Sequence, residues 1–184
     1  MIQPSHTFPA ALTLVLAMLA AQPAAGQTTA PGPYYALPSW DMTLPSATRF
    51  IVLSNMNSAA VLDRETGLVW DRHPSAATSW ENADALCRDA DTGGRKGWRL
   101  PTIEELLTLF DPARSDPALP LGHPFVLILP LHLMVGAFSQ TPAPGSTLTV
   151  RAASISTGET FVANKQNPLA TTFAAGWCVR GPQR

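Results

Sequence analysis

The chain has 184 residues, of which 46% are hydrophobic and 14% charged, with 12 Lys+Arg against 13 Asp+Glu. That length holds one domain with a sizeable core. A formal net charge of -1 excludes the strong basic field of a nucleic-acid binder or of a protein held to an anionic membrane by bulk charge.

In chain order, residues 1–26 are expected to be a secretory signal peptide. The apolar run "AALTLVLAMLAA" (10–21) is too short to span a bilayer. Pro23 breaks it, and Ala24-Ala25-Gly26 fits a small-x-small cleavage site, although no Lys or Arg precedes the run. The alternative is a buried N-terminal helix. Residues 27–48 read as a proline-rich linker or N-terminal extension, because Pro31, Pro33, Pro38 and Pro45 forbid a continuous helix or central strand. Its end near Trp40 is expected to pack on the domain, which is placed at 49–182.

"RFIVL" (49–53) is the expected first strand. "AAVLD" (59–63) and "GLVWD" (67–71) flank Arg64-Glu65-Thr66-Gly67, a hairpin signal. A first helix is expected from Thr78, with Thr78 and Glu81 as its capping box and Trp80, Ala83, Leu86 and Cys87 along its apolar face. It should end at Asp91-Thr92-Gly93-Gly94. Thr102 and Glu105 form a second capping box, opening a helix with the stripe Ile103, Leu106, Leu107 and Phe110. Pro101 and Asp111-Pro112 punctuate its two ends. Residues 113–147 read as irregular. The apolar "PFVLILPLHLMVGAF" (124–138) is interrupted by Pro130 and reads as a core-covering loop plus strand, not a membrane span. "TLTVRAASISTGETFVA" (147–163) reads as a hairpin turning at Ser156-Thr157-Gly158, and "GWCVR" (176–180) as the last strand.

Export would place the two cysteines in an oxidising compartment, where Cys87 and Cys178 persist as a disulfide. Such a bridge closes a loop of about 90 residues, worth on the order of 4–5 kcal/mol in a chain-entropy model. Two free buried thiols, or one reactive thiol, are the alternatives.

Catalytic signals are absent from the sequence. It has no G-x-S-x-G, H-E-x-x-H, Walker loop or C-x-x-C. His6, His73, His123 and His132 read as surface or core residues. Glu104 and Glu105 diverge by about 100° on a helix and do not form an acid/base pair. Asp63, Glu65 and Asp71 cluster around a hairpin and are the one candidate calcium set, without EF-hand spacing; no other cofactor is expected. Arg95, Lys96 and Arg99 form a small basic patch beside Trp98, the candidate contact for a sulfated or carboxylated sugar. The stretch reads first as a structural keystone, with Trp98 buried between helices and sheet and Arg95 and Lys96 exposed.

Taken together, "AVLDRETGLVWDR", "SWENADALC", "GGRKGWRLPTIEELLTL", "PALPLGHPF", "STGE" and "WCVRG", in that order, resemble the Lcl C-terminal domain family, also known as domain of unknown function 1566. The likeness covers roughly residues 38–182. Its structural motif comprises Trp70, Trp98, Arg99, Leu100, Pro101, Thr102, Glu105 and Leu106. The resemblance implies an α+β, C-type-lectin-like fold with two helices, a small antiparallel sheet and long irregular loops. It also implies a disulfide from the first helix to the last strand, Cys87 to Cys178. The chain departs from the family pattern at Ala137-Phe138-Ser139-Gln140-Thr141, where phenylalanine stands for tryptophan. The expected function is an exported, secreted or periplasmic recognition or adhesion module, not an enzyme, whose partner is a glycan, a sulfated polysaccharide or an envelope protein. Neither nucleic acid nor a stable membrane span is expected. The alternatives are a structural envelope protein without small ligand, and an enzyme related to the formylglycine-generating oxidases.

Overall fold

A computed structural model describes residues 44–127, 134–166 and 173–181. The expected signal peptide, most of the linker, Trp40, His6 and His132 lie outside the described residues. Within them the fold is α+β, with few helices and two mostly antiparallel sheets.

The chain enters through a helical turn, α1 (Ser46–Arg49), which starts directly after Pro45. This corrects the expected strand boundary. The Pro45 carbonyl accepts from the amides of Thr48 and Arg49, so Arg49 is the last residue of the turn and β1 is Phe50–Val52. Strands β2 (Ala60–Asp63) and β3 (Val69–Asp71) form the expected hairpin, with Gly67 at φ 72° in the turn. A short strand that the sequence reading lacked, β4 (Ser75–Ala77), precedes helix α2 (Trp80–Asp89).

The cap of α2 differs from expectation by one residue. Ser79 caps the helix, its hydroxyl accepting from the Asn82 amide at 3.1 Å, while the Asn82 side chain accepts from the Thr78 amide. Asn82 therefore stands where Glu81 was expected to close the box. Ala83 and Cys87, four residues apart, face the core, and Leu86 is left exposed. Helix α3 (Ile103–Leu107) keeps both halves of the Thr102/Glu105 capping box. It is shorter than its apolar pattern suggests. Leu107 turns to solvent, and Leu109, beyond the helix end, is fully buried in its stead.

The remaining strands are β5 (Met134–Pro142), β6 (Thr149–Ala153), β7 (Thr160–Asn164), β8 (Phe173–Gly176) and β9 (Val179–Arg180). β6 and β7 form the expected hairpin over Gly158. The expected single last strand is split in two. β8 lies in a five-stranded sheet ordered β4-β8-β5-β6-β7, where it runs parallel to β5; β9 joins a four-stranded sheet ordered β1-β2-β3-β9. Two sheets thus replace the single small sheet that was expected.

Successive residues of this crossing segment serve two cores, as a strand's alternation demands. Ala174 and Cys178 pack with Met56, Ala83, Cys87 and Trp98; Ala175, Trp177 and Val179 pack with Trp70, Ile103, Leu106 and Leu109. Gly176 lies against Ala83 of α2, where an added Cβ would come within 3.3 Å of the helix. The departure at 137–141 is absorbed by the core: Phe138 is fully buried, and Ser139 donates to the Arg151 carbonyl at 2.7 Å. Among the described residues, no helix is long and apolar enough to cross a membrane.

Candidate functional site

The stretch between α2 and α3 builds the one surface that the sequence reading singled out for binding. It begins with a tight 3-10 turn, Thr92–Gly94, where Gly93 and Gly94 have φ of 63° and 69°. L-residues other than glycine rarely adopt that region. Gly93 has a second reason to lack a side chain: a Cβ there would lie 2.4 Å from the Cβ of Met56. Thr92 anchors the turn from below, its hydroxyl donating to Asp71 Oδ2 at 2.8 Å. Burial pushes the Asp71 carboxyl above its ordinary range, against the lowering effect of the hydrogen bonds from the His73 amide and Thr92.

Arg95 and Lys96 follow, both exposed, and Trp98 is buried at 3% exposure. The indole Nε1 donates to the Arg95 carbonyl at 2.7 Å, so a buried ring fixes the backbone that carries the exposed cations. Trp98 packs with Ala83 and Cys87 and not with the α3 stripe of Ile103 and Leu106, which belongs to the other core. It covers the α2 side of the sheet, not the junction between the helices.

Arg99 does not join the basic patch. Its guanidinium makes a two-pronged pair with Glu105, Nη1 to Oε2 and Nη2 to Oε1, each 2.7 Å. The same carboxylate accepts the Thr102 amide at 2.9 Å. Glu105 thereby links the extended Arg99 segment, the helix cap and the first turn of α3, where its charge also favours the positive helix end. Arg99 and Val179 exchange backbone hydrogen bonds of 3.0 and 2.8 Å, seating this segment against β9.

That seating introduces a residue the sequence reading missed. Arg180 is exposed, and its Nε donates to the Lys96 carbonyl at 2.9 Å. Its only sequence signal was its position two residues after Cys178, in the family-like "WCVRG". The Cys87–Cys178 bridge, with Cα atoms 5.2 Å apart, ties that strand to α2 across 91 residues. Lys96 reaches the other way, its ammonium donating to the Asp89 carbonyl at the C-terminal end of α2.

The candidate calcium set is dispersed. Asp63 and Glu65 both pair with Arg49, at 2.8 and 3.0 Å, while Asp71 is engaged with Thr92 and the His73 amide. Among the described residues, no group of three or more His, Cys, Asp or Glu is placed to hold a metal ion. His73 is exposed. His123 is half-buried and stacked on Phe125, with its Nδ1 lacking a partner; burial holds its pKa below the ordinary value.

Fold and site together define a small α+β domain, cross-tied by one disulfide, with a basic turn held between its central helix and its last strand. The chain belongs to the Lcl C-terminal domain family, whose match spans residues 59–180. α1 and β1 therefore lie ahead of the matched region. No curated protein matches the chain.

Proposed function

We propose that this domain is an extracytoplasmic, non-enzymatic recognition module of C-type-lectin-like architecture, binding acidic or sulfated polysaccharide through the turn that bears Arg95 and Lys96. The observation that carries the reading is the pairing of two exposed cations with a backbone fixed from beneath by Trp98. A surface held rigid before binding loses less conformational freedom on contact. The disulfide supports an oxidising compartment. It also takes both cysteines of the chain, whereas chemistry of the formylglycine-generating kind needs them reactive.

The test is an array of neutral, carboxylated and sulfated polysaccharides, probed with the wild-type protein and with Arg95→Ala/Lys96→Ala. Binding confined to anionic polymers, weakened in the double variant and by added salt, is the expected result. Retention of nothing on the array would favour the structural envelope reading. Thiol titration of the native protein addresses the enzyme alternative: two titratable thiols would reopen it.

A further inference from the structure

Within the basic turn, we infer that Arg180 is the deciding cation, the residue that turns a charge-balanced surface into an anion site. This inference rests on the polysaccharide reading above. Between residues 84 and 96, Asp84, Asp89 and Asp91 stand against Arg88, Arg95 and Lys96. The three negative and three positive charges cancel, and Arg88 is paired with Asp84 at 3.1 Å. The segment by itself therefore carries no net formal charge, and the exposed cations Arg95 and Lys96 are only part of an anion site. Arg180 comes from the far end of the sequence and adds a third cation which, like Arg95 and Lys96, no salt bridge engages among the described residues.

Its geometry suits more than charge. Nε is bound to the Lys96 carbonyl, which fixes the plane of the guanidinium beside the turn. The Nη groups remain as a pair of parallel donors, the arrangement that meets two oxygens of one sulfate or carboxylate. Lysine offers a point charge without that fork. Arg180 is also held in place from behind. Val179 bonds to Arg99, and Cys178 is bridged to α2, so the residues just before it are immobilised on both sides. The ligand this arrangement fits is a polymer carrying regularly spaced oxyanions. Lys96 and Arg95 contact neighbouring groups, and Arg180 takes one group in its fork.

The experiment compares wild type, Arg180→Gln, Arg180→Lys and Arg95→Ala/Lys96→Ala for binding to a sulfated polysaccharide and to its desulfated form, at two salt concentrations. Glutamine places an amide nitrogen where Nε stands, keeping a donor for the Lys96 carbonyl while removing the charge. The expected result for Arg180→Gln is an unchanged melting temperature and a loss of roughly tenfold or more in affinity for the sulfated polymer. Arg180→Lys should recover only part of that loss, because charge returns without the fork. Wild-type affinity in Arg180→Gln, with loss in Arg95→Ala/Lys96→Ala, would overturn the inference and leave the polysaccharide reading standing. Full recovery in Arg180→Lys would overturn the fork and reduce the role to charge. A wild-type protein that ignores both polymers would overturn both claims together. Melting curves and circular dichroism of each variant separate lost binding from lost folding.

Discussion

Removing Arg49 is the sharpest test of what holds this fold together. Arg49 sits at the end of α1 with 8% of its side chain exposed, against Asp63 at 0%. Nε and Nη2 reach the two Asp63 oxygens at 2.9 and 2.8 Å, Nη1 reaches Glu65 at 3.0 Å, and Nη2 also donates to the Thr108 carbonyl next to α3. One guanidinium thus joins the first turn, the β2–β3 hairpin and the end of α3. Arg49→Met keeps most of the stem volume and deletes the charge. Asp63 is then left as a buried carboxylate whose charged partner is gone, a loss of about 3–5 kcal/mol for a broken buried pair. An exposed pair would cost under about 1 kcal/mol. Against a typical domain stability of about 5–15 kcal/mol, the loss should lower Tm on the order of 10–20 °C. Urea denaturation followed by tryptophan fluorescence reads the change as a lower midpoint at constant slope. Adding Asp63→Asn to Arg49→Met should restore part of the stability, because the second change removes the stranded charge. A single variant within 1 kcal/mol of wild type, or a double variant worse than the sum of its parts, would refute the reasoning. A fragment covering only 59–180 lacks Arg49 and the core residue Phe50, and should be less stable than one beginning at 44.

Trp98→Ala should cost about 3–5 kcal/mol, as truncation of a buried aromatic does, while Arg95→Ala should stay within about 0.5 kcal/mol; paired melts check both. Gly93→Ala combines a left-handed φ with a Cβ 2.4 Å from Met56, whereas Gly94→Ala meets only the φ penalty, its Cβ position being open. The expected order of Tm is wild type, then Gly94→Ala, then Gly93→Ala well below. For Asp71, the raised pKa means that the folded state keeps its proton where the unfolded chain has released it. The stability this group contributes is full below about 3.8 and is lost as pH rises through the higher folded value. Comparing wild type with Asp71→Asn across mildly acidic pH should show the wild type losing ground as pH increases; parallel stability curves would contradict it.

Local structure was legible wherever its cause spans a few residues. The Thr102/Glu105 box is such a signal, since two side chains three positions apart satisfy each other's backbone donors. Gly67 and Gly158 announced their hairpins because a positive φ selects glycine. The burial of Trp98 and the exposure of Arg95 and Lys96 were also legible, because a large indole beside two cations in a glycine-flanked turn has only one face to hide. The Ser79 cap was missed narrowly. Thr78 and Ser79 are both capping residues, and the choice between them rests on which frame turns Ala83 and Cys87 inward.

The amino-acid sequence by itself determined the class of the fold, its hairpins, the better capped helix and the cysteine pair available for a bridge. The tertiary structure decided which charges are spent and which are left over. Arg95, Lys96 and Arg99 look alike in the sequence, yet Arg99 is consumed by Glu105, and Arg180, from 84 residues away, takes its place at the turn. Arg49 likewise disappears into the core with Asp63. A charged side chain adopts whichever partner the chain path brings within about 3 Å, and that path is set by burial of the two apolar cores flanking the five-stranded sheet. Burial is non-directional and long-range in sequence, so the split of β8 from β9, and with it the position of Arg180, follows from where Trp177 and Cys178 find their separate cores.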